Sequence, residues 1–227
     1  MLSPGLLLLA DARFPAGGHA HSAGVEAAVA IGDVRDVASL DRYLRARLAT
    51  TGRVDAAFAA VVCAAAVEGH LDHALLARLD AEYSARVPSP YLRSVSRRLG
   101  RQLARAAGRT WPSPALTLLA SSPDGAHQAL VLGAAAAAAG ATPEDTVGLA
   151  IHHLAGAVTS AAIRLLGLDP VEVAALHAAA AASATDRLVH DRPWDVVDVA
   201  DLAAGGGSLT EILGEHHGSR SARLFVA

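Results

Sequence analysis

At Ser89-Pro90, Thr142-Pro143 and Asp169-Pro170 a capping side chain is followed directly by proline, and each time a long stretch rich in Ala and Leu follows. Proline is tolerated at the first helical position because its missing N–H has no partner there anyway, and Ser, Thr or Asp just before it satisfies one of the free donors behind it. Glu144 and Asp145 then sit at the positive end of the helix they open. Asp169-Pro170-Val171-Glu172 and Ser208-Leu209-Thr210-Glu211 fit the spacing of a capping box. A chain punctuated in this way is committed to helices.

Composition supports the commitment. Ala dominates, with Leu, Arg and Glu in support, the residues that lose least side-chain freedom in a helix. The 227 residues are 52% hydrophobic, slightly above the ~45–50% of an ordinary globular domain. Only 4% are aromatic, which argues against large ring-lined pockets. The reading is an all-α, single-domain bundle of roughly ten helices over 1–227, with a docking tail from about 215. Helices are expected near 23–31, 38–51, 54–69, 73–86, 90–107, 125–140, 143–166, 170–184 and 209–215, with a shorter one ending near Ala12. Breaks are expected at 11–21, 108–125, 192–194 and 205–208. In the helix after Thr142, Ile151, Leu154, Ala155, Val158, Ala162 and Leu165 recur at three- and four-residue steps as a buried stripe, with His153, Ser160 and Arg164 opposite. The alanine runs at 134–139 and 178–182 permit close helix approach, and are equally accounted for by biased base composition that helices tolerate.

The formal charge of -3 is too mild for a global nucleic-acid or membrane field. The apolar run ending before Asp11 is too short for a secretory leader, and ALVLGAAAAAAGA falls well short of a membrane span. A soluble protein in a reducing cytoplasm is expected, with the single Cys63 a small buried hydrophobe.

No nucleophile elbow, phosphate loop or facing acid pair is present, so no catalytic constellation is found. Histidines pair at His19-x-His21, His70-x-x-His73, His152-His153 and His216-His217. Imidazole is a good ligand for Ni, Zn or Cu, yet none of these pairs has the one-turn spacing with a carboxylate that a helical metal site uses. His19 and His21, projecting to one side of an extended loop, are the best of weak metal candidates. Arg93, Arg97, Arg101 and Arg105 repeat every four residues beside Arg98 and Arg109. They read as a solvated face, as a basic patch for an acidic partner, or, last, as a nucleic-acid surface lacking interleaved aromatics. The tail reads GEHHGSRSARLFVA. Its Leu224 and Phe225, behind Arg220 and Arg223, either fold back onto the core or anchor a partner.

One stretch exceeds what a generic helix needs: LADARFPAGGHAHSAGVE, from Leu9 to Glu26. It resembles the opening LADxRxPxGxxxHSxGxE of the urease accessory protein UreF family. Ser96-Arg97-Arg98-Leu99-Gly100-Arg101-Gln102-Leu103 resembles the family's SRxxGRxL. SAAIRLLGLDP from Ser160 resembles its SA…RLL segment, and the RLFVA ending resembles its RLF-x-S, with Ala227 in place of the final Ser. The matches run in the family's order and span almost the whole chain.

The resemblance implies an all-helical homodimer without catalytic activity or a cofactor of its own. It implies binding to UreD (also called UreH) and the GTPase UreG, in an assembly that delivers nickel to apo-urease. Arg220, Arg223, Leu224 and Phe225 would then contact UreD. Asp11, Arg13, Phe14, Pro15, Gly17, Gly18, His21, Ser22 and Glu26 would form a dimer or UreG-facing surface, with Asp11 and Arg13 holding the loop and Gly17-Gly18 turning it. A nickel-binding protein using its His pairs is the alternative.

Overall fold

Helix starts in the computed structural model are set by the expected chemistry. The structure describes residues 3–16, 21–192, 194, 198–205, 207–219, 224 and 225, with backbone alone for 208, 209, 216, 217 and 219. Its elements are α1 (Pro4–Ala10), α2 (Val25–Ala30), α3 (Val37–Arg47), α4 (Arg53–Val67), α5 (His73–Arg86), α6 (Pro90–Thr110), α7 (Pro114–Ala120), α8 (Gln128–Ala138), α9 (Pro143–Leu166), α10 (Pro170–Asp191) and α11 (Ser208–Ser219). No strand occurs among the described residues, and the all-α class holds.

Ser89 accepts from the Leu92 N–H, and Thr142 and Asp145 form a reciprocal capping box. Asp169 caps through Val171 rather than through Glu172. Glu211 does not turn back on its own helix: its carboxylate accepts the Ser89 N–H at 2.9 Å. Glu215, one turn on, accepts from the Ser89 hydroxyl and the Tyr91 N–H. Two acids of α11 therefore cap the positive end of α6, where a negative charge is favoured.

Three expectations are corrected. The break at 108–125 contains α7, which opens on Ser113-Pro114, the same cap-then-proline signal used elsewhere. Helices 38–51 and 54–69 are one continuous helix, because α3 and α4 are joined through a π-helical turn, Leu48–Gly52. Gly52 does not end it; a Cβ there would stand 3.1 Å from Leu154 and 3.2 Å from Ile151, so the glycine admits α9. Helix α10 runs to Asp191 and stops where Arg192 adopts a left-handed conformation.

The core is built on α4, which packs against α8 and α9; α8 carries α6 on its other side, and α9 carries α10. Small residues make this possible. Ala56, Ala57, Ala59 and Ala60 of α4 and Ala134, Ala135 and Ala136 of α8 are all fully buried. A Cβ added to Gly133 would lie 2.2 Å from the Ala59 carbonyl oxygen, so the backbones of α4 and α8 are in direct contact there. Gly100 does the same for α6, its would-be Cβ 2.0 Å from the Ala126 oxygen. Phe58, Leu130 and Ile151 are fully buried in the same core, and the buried Cys63 directs its thiol to the Ala141 carbonyl. By length and apolarity Val37–Val67 and Pro143–Leu166 resemble membrane spans, but more than half of each such window is buried inside the bundle.

Gly133→Ala is expected to destabilise the fold by about 1–3 kcal/mol, the usual cost of overpacking. Gly108→Ala, where an added Cβ meets nothing within 4 Å, is expected to stabilise by up to about 1 kcal/mol through helix propensity. Chemical denaturation of the two variants checks this, and equal effects would contradict the close-contact account.

Candidate partner-binding site

Serine, alanine and glycine at positions 22–24 make a turn that most sequences cannot. Ala23 and Gly24 are consecutive residues in the left-handed region, φ 50° and 85°. Tyr43 of α3 donates its hydroxyl to the Ala23 carbonyl, and a Cβ on Gly24 would meet that hydroxyl at 2.9 Å. Ser22 is fully buried, and its hydroxyl accepts from the Glu26 N–H. The turn starts α2, and α2 lies against α9 and α11. Glu26 is thereby held at a fixed place on the surface.

The far end of the chain meets it there. The Leu224 and Phe225 N–H groups donate to the two carboxylate oxygens of Glu26, at 2.7 and 3.0 Å. Phe225 is 3% exposed, and the Arg164 guanidinium of α9 lies 4.3 Å from its ring centroid. Leu224, beside it, is 65% exposed. The tail therefore folds back through Phe225 and presents Leu224. Arg220 and Arg223 lie outside the described residues.

Upstream, Asp11 and Arg13 pair through both the guanidinium and the Arg13 N–H. The Arg13 contact holds the Asp11 carboxyl at about 2. Phe14 is buried and stacks on Trp111 at 5.5 Å, pinning the loop to the end of α6. Pro15 is exposed, and His21 is 7% exposed. Gly17, Gly18 and His19 lie outside the described residues. Among the described residues no three His, Cys, Asp or Glu side chains stand together as a metal-ligand set.

The basic stripe divides in two. Arg97 makes a double hydrogen bond to Asp80 and donates to the Gly125 carbonyl; Arg101 donates to the Asp124 carbonyl. These two arginines bind the α7–α8 loop to α6. Arg98 and Arg105 are exposed. His127, fully buried, lies between Ser84 at 2.9 Å and Ser96 at 3.1 Å. Burial first, and the nearby Arg97 charge second, push its pKa down to about 4. His153 does not face solvent with Ser160 and Arg164: its ring reaches the Leu9 carbonyl at 3.0 Å, and desolvation lowers it to about 4 as well. Sequence spacing gave no sign of Glu215 or of Tyr43 at these joints; the paired acids Glu211 and Glu215, one turn apart, were the available signal.

The pH dependence follows from these groups. His127 and His153 ordinarily titrate at 6.5 and are held near 4 in the folded chain. The unfolded chain therefore binds more protons between those values, and stability falls as pH drops through that window. Asp55, raised from 3.8 to about 6 by desolvation, works in the opposite direction with one proton against two. Thermal midpoints should fall from pH 6.5 to pH 4, and less steeply in His127→Gln; midpoints that rise on acidification would contradict the assignment.

The comparisons with known proteins agree with the family that the sequence motifs resemble. The UreF family profile matches residues 34–181. The chain is 38% identical over 222 residues to the urease accessory protein UreF of Mycolicibacterium vanbaalenii, covering 98% of this chain and 97% of that one. It is 38% identical over 224 residues to that of Mycobacterium sp. strain JLS, and 34% identical over 225 residues to that of Mycobacterium tuberculosis strain H37Rv, with the same coverage. With the profile matching well over half the chain and such relatives aligned along nearly all of it, the chain belongs to the UreF family of urease accessory proteins.

Proposed function

We propose that this chain is a non-catalytic scaffold for urease maturation. It acts in the cytoplasm as a homodimer, joining UreD (UreH) and the GTPase UreG on apo-urease, with nickel as the cargo. The observation that carries this reading is the near full-length similarity to proteins named for urease accessory function, supported by the meeting of the two chain ends at Glu26.

The physical role of that meeting is preorganisation. A free tail loses conformational freedom when it binds, and that loss subtracts from affinity. Here Phe225 is already seated under Arg164 and two backbone donors are already fixed by Glu26. Leu224 is then presented as an apolar knob of the kind that fills an interface centre, and Arg220 and Arg223, just before it in the sequence, bring positive charge to the same partner. In this reading the tail is the UreD contact. The loop carrying Asp11, Arg13 and Pro15 serves the dimer or the GTPase, and Arg98 and Arg105 offer charge to an acidic surface.

Co-purification of the tagged protein with UreD and UreG tests the reading. Recovery of both is expected, and well-folded protein that recovers neither would overturn it. Deleting 223–227 should abolish UreD capture while leaving helicity unchanged. Glu26→Ala removes the acceptor of two charge-assisted bonds, each worth about 1.5–3 kcal/mol. It should weaken UreD binding at least about tenfold, since 1.4 kcal/mol is a factor of ten. Unchanged affinity in either variant would exclude the docked tail as the contact.

A further inference from the structure

The π-helical turn Leu48–Gly52 does more than join α3 to α4. Single π turns inside longer helices concentrate at functional positions, and this one follows Arg47, a charged residue that is only 8% exposed. One guanidinium nitrogen of Arg47 donates to the Thr51 hydroxyl at 2.5 Å. Its Nε–H has no partner, the one buried side-chain polar atom among the described residues in that condition. No carboxylate pairs with it at salt-bridge distance among the described residues. A buried cation left in that state is costly, and a built fold retains it against that cost only where something satisfies it.

Arg47 lines a cavity of about 650 Å³, together with Val54, Leu99, Leu132 and Ile163 on its apolar walls. Asp55 and Glu211 line it too. Both carboxylates already receive a hydrogen bond, Asp55 from the Tyr83 hydroxyl at 2.6 Å and Glu211 from the Ser89 N–H. Arg86 and Arg164 also line the cavity, but Arg86 is engaged by Glu82 and by the Ala200, Leu202 and Ala203 carbonyls and Arg164 lies over the Phe225 ring. Arg47 is therefore the lining cation with an unused buried donor, and the two carboxylates favour a single negative charge beside it over a dianion such as phosphate. A planar guanidinium with an unused Nε–H suits the two oxygens of a carboxylate. The apolar walls suit a hydrocarbon body.

We infer that this cavity binds the carboxylate of a small organic acid with an apolar body, with Arg47 as its anchor. Nothing in this assignment rests on the maturation role, although the cavity reaches Arg164, on which Phe225 is seated.

Octanoate is the probe, followed by calorimetry and by thermal midpoint on the full chain. Octanoate should bind and raise the midpoint. Octanamide, the same shape without the charge, should bind at least about tenfold more weakly, the minimum expected from losing a charge-assisted bond. Arg47→Met should lose octanoate binding to the same extent while unfolding at an equal or higher temperature, because an unpaired buried charge is removed. The octanamide arm needs no variant, so the test stands even if Arg47→Met folds poorly. Equal binding of octanoate and octanamide would reduce the cavity to an apolar filler site and overturn the inference. Binding of phosphate in preference to octanoate would overturn the carboxylate assignment. Absence of binding by any probe would assign the Arg47 Nε–H to an ordered water instead.

Discussion

The backbone-to-backbone contact of α4 and α8 at Gly133 is the constraint on which the rest of the structure depends. With Ala59 facing it and alanines above and below, the two helix axes approach more closely than branched side chains permit. Small residues bury little apolar area each, so the core gains its cohesion from density, with many short contacts at near-crystalline packing. The same device recurs at Gly100 against the Ala126 backbone, and Gly52 makes room for the Ile151 and Leu154 side chains of α9. Once α4, α8 and α9 are set, the positions of α6 and α10 follow, since each packs on one of them.

The seat of the C-terminal tail inherits its geometry from that core. Arg164 is on α9, and Glu26 is on the short α2 that rests on α9. A tail that touches both is therefore read by one rigid helix. At the other side, α11 is fastened to α6 by Glu211 and Glu215 at the Ser89 cap. The small Gly214 and Gly218 let Leu92 and Tyr91 pack beneath.

Much of the fold was legible because capping and periodicity are local. The bounds expected for α5 and α9 coincide with those observed, and the caps at Ser89 and Thr142 act as read. The misreadings share a cause. Gly52 is a breaker by propensity, but here it serves the approach of a helix about a hundred positions away. Ser113-Pro114 opens a helix only seven residues long, lost among the other turn signals around it. At the site, Glu26 and Phe225 each stood out in the sequence, yet their contact spans 199 positions, and no local pattern encodes it. The arginine stripe shows the limit most plainly. Arg97 and Arg98 are neighbours of identical chemistry, and the positions of Asp80 on α5 and of the Gly125 carbonyl decide that one is spent inside the fold and the other is exposed.

The central claim is that the two chain ends act as one unit for a partner. A double-mutant cycle of Glu26→Ala and Phe225→Ala, read as affinity for UreD, measures it directly. If the carboxylate and the ring seat the same tail, the second substitution adds little to the first, and the coupling energy should reach about 1 kcal/mol or more. Additive losses, with coupling near zero, would show that the two residues act independently and would contradict the account.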